Sequence, residues 1–83
     1  MDEHDIRNKI KAAIAKISDI EAADIADTAS FIDDLGLDSL ELLEISVEIE
    51  MQFGLEVHEE ALKQLRTVQD TVEFVQHALV GQA

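Results

Sequence analysis

The 83-residue sequence has no cysteine, proline, tryptophan or tyrosine, only three glycines and three phenylalanines, and just six basic residues against nineteen acids. Without cysteine there is no disulfide, no thiolate nucleophile and no Cys-ligated zinc, so the fold must hold by packing in any redox compartment. Without proline, no helix is interrupted by a ring that clashes and removes a donor. The shortage of base leaves a formal charge of −13, which repels a phosphate backbone and an anionic membrane surface and argues against both as partners. No window holds 18 consecutive apolar residues, and Met1-Asp2-Glu3-His4-Asp5 is acidic where a secretory signal is basic. The expectation is a soluble, unexported protein, cytoplasmic and without stable membrane insertion.

What remains is 47% hydrophobic, enough for one compact core in a single domain over residues 1–83, and too short for a two-domain enzyme. Ile6, Ile10, Ile14 and Ile17 recur on one stripe of a 3.6-residue period and predict a first helix from Asp2 to Ile17. Arg7, Lys9, Lys11 and Lys16 lie off that stripe, so the chain from Ser18 onward keeps only Lys63 and Arg66 against nearly all the acids. The negative field belongs to the later part.

Ser18 to Asp38 shows no sustained period but carries Ile20, Ile25, Phe31, Ile32 and Leu35, too many apolar anchors for a free linker. A long ordered loop is expected, with Ser30 and Asp33 capping a short turn and Gly36 supplying a bend. Asp38 is a good N-cap with Glu41 three residues on, and Gly54 stands where a C-terminal glycine belongs, so a second helix spans about Ser39 to Phe53. A short helix is expected around Ala61 and Leu62, within His58 to Leu65. Thr67 and Asp70 repeat the capping pattern, and Val68, Val72, Val75 and Leu79 mark a last helix before Gly81. The fold class is all-α: a four-helix bundle with three main helices, one short helix and a long ordered loop between the first two main helices.

The second helix has two apolar sides. At 100° per residue, Leu42, Ile45, Ile49 and Phe53 share one side, and Leu40, Leu43, Val47 and Met51 the other, with Glu41, Glu44, Glu48 and Gln52 along one edge. Burying four such side chains contributes roughly 6–12 kcal/mol. An exposed stripe would therefore be stability left unused, as a docking face requires; alternatively, the first and last helices cover both sides. Periodicity alone leaves both arrangements open.

The segment Asp33-Asp34-Leu35-Gly36-Leu37-Asp38-Ser39-Leu40 resembles the prosthetic-group attachment motif of acyl carrier proteins. The resemblance continues through Leu42 to Leu55, with Phe31-Ile32-Asp33-Asp34 as the entry to the motif, Phe53-Gly54-Leu55-Glu56-Val57 as its exit and Thr67-Val68-Gln69-Asp70 opening the last helix. It covers about Ile25 to the C-terminus, whereas residues 1–24 match only in pattern. The resemblance implies that Ser39, flanked by Asp38 and Leu40, carries 4′-phosphopantetheine donated by coenzyme A. The thiol of that arm would hold acyl groups as thioesters, and the protein itself would be no enzyme. It implies as partners a phosphopantetheinyl transferase and acyl-loading, condensing and modifying enzymes with basic docking patches, met by a monomer through Leu40, Glu41, Leu43, Glu44, Val47 and Glu48. It also implies that the opposite stripe, with Ile6, Ile10, Ile14, Val68, Val72 and Val75, encloses the acyl chain in fatty acid or polyketide-type biosynthesis. Physical reasoning agrees at one point: the first turn of a helix offers free N–H groups and a dipole that favour an attached phosphate.

Met51 and Gln52 depart from the acidic run usual late in this helix, and His58 stands where the family commonly has proline. Four other readings compete. A serine hydrolase fails on Leu37, which breaks a Gly-Asp-Ser-Leu signature, and on the unrelated contexts of His4, His58 and His77. A calcium loop fails because Leu35 and Leu37 occupy alternate ligand positions, and no metal role is assigned. An aminoacyl or peptidyl carrier would use the same serine, and an unmodified acidic binding domain would leave Ser39 as an ordinary capping-region residue.

Overall fold

The computed structural model describes residues 2–81 and realises the caps expected at Asp38, Gly54 and Thr67, whereas Gly81, expected to follow the last helix, is its final residue. Helix α1 (Glu3–Ser18) starts at Asp2, whose extended backbone and carboxylate cap the Asp5 N–H at 2.8 Å. Glu3 and Asp5 sit at its positive end and Lys16 at its negative end, the favourable sense for the helix dipole. It closes at Asp19, in the left-handed region at φ 63°. Helix α2 (Ser39–Phe53) has a full capping box: Asp38 accepts the Glu41 N–H at 2.8 Å and Glu41 accepts the Asp38 N–H at 3.2 Å. Gly54 ends it at φ 65°, where a side chain would be strained. Helix α3 (Glu59–Leu62) is a single turn after His58, which provides no side-chain cap. Helix α4 (Val68–Gly81) begins under Thr67, whose hydroxyl accepts the Asp70 N–H at 3.1 Å.

Helix α1 packs against both α2 and α4. Ile6, Ile10 and Ile14 meet Ile45 and Ile49 of α2 and Val68, Val72 and Val75 of α4 in one core, which Ile25, Phe31, Leu37, Leu55 and Leu65 complete from the connecting segments. Each fully buried aliphatic side chain contributes about 1.5–3 kcal/mol. Among the described residues the buried polar side chains are Ser46 and Thr71, and each hydroxyl donates to a carbonyl of its own helix, Leu43 at 2.6 Å and Thr67 at 2.9 Å.

The α1–α2 connection is ordered, with Ile25 and Phe31 in the core and Ile20 and Leu35 packed against it, whereas Ile32, expected as a further anchor, is 61% exposed. It contains a 3-10 turn at Ala22–Asp24, which sequence periodicity did not reveal. An isolated antiparallel bridge joins Ser30 to Thr67, the Phe31 N–H donates to the Arg66 carbonyl at 2.8 Å, and the Gln69 N–H donates to the Asp27 carbonyl at 2.9 Å. Ser30 caps a turn through the Asp33 N–H, as expected, but the reciprocal carboxylate is that of Asp34, which accepts the Ser30 N–H at 2.7 Å. Asp27 is clamped by Lys11 at 2.7 Å and Arg7 at 3.0 Å. Gly36, at φ 67°, makes the bend that delivers the chain to Asp38.

Candidate functional site

The chain has four serines, and their surroundings differ. Ser18 donates to the Ile14 carbonyl at 2.6 Å, Ser30 accepts the Asp33 N–H, and Ser46 is buried with its proton on the Leu43 carbonyl. Ser39 is exposed, and its hydroxyl makes no hydrogen bond to any described residue. It occupies the first position of α2 because Asp38, one residue earlier, takes the cap. That cap satisfies the Glu41 N–H, whereas the Ser39 and Leu40 N–H groups have no acceptor among the described residues. An exposed hydroxyl beside two open donors at the positive end of a 15-residue helix suits a phosphate ester.

A half-open cavity of about 660 Å³ adjoins Ser39, between the α1–α2 connection, α2 and α3. Its apolar wall is formed by Phe31, Ile32, Leu42, Leu62 and Leu65. Lys63 and Arg66, the two basic residues of the later chain, also line it, and no described carboxylate pairs with either. No histidine lines this cavity; His4 contacts Asn8 and His58 contacts Glu56. The side chains implied to enclose cargo are placed differently: Ile6, Ile10, Ile14, Val68, Val72 and Val75 are packed solid in the core, and none borders the cavity. Of the wall, Leu62 and Leu65 had a weak signal in their three-residue spacing, whereas Phe31 and Ile32 reach it only through the folded loop.

The two sides of α2 also separate. Ile45, Ile49 and Phe53 are buried, with Leu42 at the boundary, while Leu40, Leu43, Val47 and Met51 are 63%, 52%, 45% and 75% exposed. The outer stripe is thus unpartnered in this chain, and the arrangement in which α1 and α4 cover both sides is not the one adopted. Acids flank it in different states. Glu41 closes the capping box, Glu48 meets Lys16 of α1 at 3.4 Å with its side chain only 17% exposed, Glu50 accepts the Val57 N–H at 3.0 Å, and Glu44 has no partner among the described residues.

Among the described residues, Asp27 is the one whose protonation the fold shifts. Its contact with Lys11, reinforced by the charges of Lys11 and Arg7, holds its carboxyl below the usual carboxylate range against the opposing effect of partial desolvation. It does not line the cavity beside Ser39. Among the described residues, no helix is long and apolar enough to cross a membrane.

Comparison with known proteins gives a consistent result. A family model described as a phosphopantetheine attachment site matches residues 8–75. The acyl carrier protein of Thermobifida fusca (strain YX) is 38% identical over 74 residues, covering 89% of this chain and 94% of that protein. The acyl carrier protein of Buchnera aphidicola subsp. Schizaphis graminum is 38% identical over 72 residues, covering 87% and 91% respectively. The solved structure of an acyl carrier protein from Enterococcus faecalis, described for its high thermal stability, superposes with a TM-score of 0.78 at 29% identity, covering 94% of this chain and 99% of that one. An open serine at a capped helix start, a helical bundle of the same shape and relatives matched over nearly their whole length lead to one conclusion: the chain belongs to the acyl carrier protein family, whose members bear a covalently attached phosphopantetheine.

Proposed function

We propose that Ser39 is the attachment residue and that residues 1–83 act as one non-catalytic, monomeric, cytoplasmic carrier domain for acyl intermediates of fatty acid or polyketide-type biosynthesis. The observation that carries this reading is the contrast among the serines: Ser39 alone is exposed with a hydroxyl uncommitted among the described residues, at a helix start whose next two N–H groups are open. Asp38 and Leu40 support the site, Asp38 by capping the helix and Leu40 by contributing an open N–H. The attached group supplies a terminal thiol that holds the acyl group as a thioester. The chain's own residues orient the attachment point, stabilise the phosphate through the first turn of α2, and offer the cavity beside Ser39 as a partly apolar shelter. Tethering raises the effective concentration of cargo at each enzyme visited.

Docking is assigned to the outer side of α2, where Leu40, Leu43 and Val47 are exposed and Glu41, Glu44 and Glu48 supply negative potential. Partners are a phosphopantetheinyl transferase and acyl-handling enzymes with basic surfaces, steered by a net charge of −13.

The test is an intact mass after incubation with coenzyme A and a broad-specificity phosphopantetheinyl transferase, with peptide mapping of the adduct. The expected result is one phosphopantetheine on Ser39 in the wild type and none on Ser39→Ala. An adduct on Ser18, Ser30 or Ser46, or no adduct while a control carrier is modified, would overturn the assignment.

A further inference from the structure

The outer side of α2 is apolar along its whole length. At 100° per residue, Leu40, Leu43, Val47 and Met51 fall within an arc of about 80°, and from Leu40 to Met51 the stripe runs about 16 Å along the axis. Glu44 projects about 20° beyond Met51, inside the footprint a partner lying on this stripe would cover. Glu41 and Glu48 project about 60–80° beyond Met51, towards the flank.

Glu50 lies equally near the stripe on the other side, about 20° beyond Leu43, so it is engagement together with position that sets Glu44 apart. Glu41 is turned back onto the Asp38 N–H, Glu48 is drawn to Lys16 and largely covered, and Glu50, on the other flank, accepts the Val57 N–H. A carboxylate so engaged still contributes to the field at a distance. To pair directly with a partner's cation it must release its present contact, which reduces the gain. Glu44 has no contact to release. The end of the helix where further acids would extend the charged edge instead carries Met51, the most exposed of the stripe residues, and the neutral Gln52.

We propose that the docked state of this carrier is held by apolar contact from Leu40 through Met51 with a single direct ion pair at Glu44, and that its partners present an elongated apolar groove carrying one Lys or Arg opposite Glu44. The other acids of α2 act on the approach and not in the bound complex. This rests on the assignment of α2 as the docking helix, and it specifies the chemistry of what docks there. Methionine suits such a surface, because an unbranched, polarisable side chain adapts to several grooves.

The test uses the apo chain as substrate of the phosphopantetheinyl transferase, reading kcat/KM for Ser39 modification against ionic strength, with helicity and melting checked for each variant. Glu44→Gln is expected to lower kcat/KM about fivefold at 0.15 M salt, and at least about threefold more than Glu48→Gln or Glu41→Gln, whose effects act through the screened field. Met51→Gln, which keeps an unbranched side chain and helix propensity, is expected to raise KM about fivefold with kcat unchanged, an effect that persists at 0.5 M salt because it is not electrostatic. Equal losses for Glu41→Gln, Glu44→Gln and Glu48→Gln, or a Met51→Gln effect that disappears in high salt, would overturn the proposal. If every α2 variant, Leu43→Gln included, is modified like wild type while Ser39 still takes the group, the docking-helix assignment itself fails.

Discussion

Asp38 and Ser39 are adjacent residues with separate duties, and their side chains show how the division is made. The Asp38 carboxylate and the Glu41 side chain close two otherwise open N–H groups of α2, whereas the Ser39 hydroxyl supports nothing around it. Asp38→Ala is therefore expected to cost about 1 kcal/mol of stability, lowering Tm by roughly 4–8 °C for a domain of this size. Ser39→Ala is expected to stay within about 3 °C of wild type while losing all modification. Thermal unfolding followed by circular dichroism, paired with intact mass, separates the two. A Ser39→Ala protein that melts as low as Asp38→Ala would show that the hydroxyl has a structural role after all. This pair was legible in the sequence because capping is local chemistry, written in residues three apart.

At the scale of elements, the long connection is held to the bundle by contacts of different kinds. Backbone hydrogen bonds join Phe31 to Arg66 and Gln69 to Asp27, while the Asp27 carboxylate bridges Arg7 and Lys11 of α1. Asp27 has a lowered pKa in the folded state, so its unfolded value is the higher of the two. Its contribution is fully present above the unfolded value, about 4, and is lost as pH falls through the lower folded value. The expected outcome is that Asp27→Asn destabilises the protein at neutral pH and that the difference from wild type shrinks below pH 4, measured by urea unfolding across pH 3 to 7. A difference constant over that range would show that the clamp does not act through charge. None of this clamp was legible beforehand, because Arg7, Lys11 and Asp27 meet only once the chain has doubled back. The three main helices, by contrast, followed from periodicity and caps, and α3 was legible only as a region because one turn has too little pattern to set its ends. Which side of α2 lies outside was undetermined, since two equally apolar stripes carry the same periodicity and only the placement of α1 and α4 decides between them.

The whole molecule measures 35 × 25 × 19 Å and holds a net charge of −13, so in 10 mM salt, where the screening length is about 30 Å, most like charges on it repel one another. Raising monovalent salt to 1 M shortens that length to about 3 Å and is expected to raise Tm, equally with sodium or potassium. A Tm that falls instead would mean that the ion pairs of Arg7, Lys11 and Lys16 outweigh the repulsion. Inside this charged shell the two buried polar side chains among the described residues are Ser46 and Thr71. The hydroxyls of Ser46 and Thr71 are satisfied within their own helices, so these buried groups tie no helix to another. Parting two such faces would orphan neither hydroxyl, and the loss would fall on dispersion contacts and buried apolar area. Side-chain polar ties between the main helices lie outside the core, where Lys16 meets Glu48 and Arg7 meets Gln69, so the interior itself is held by shape and apolar contact alone.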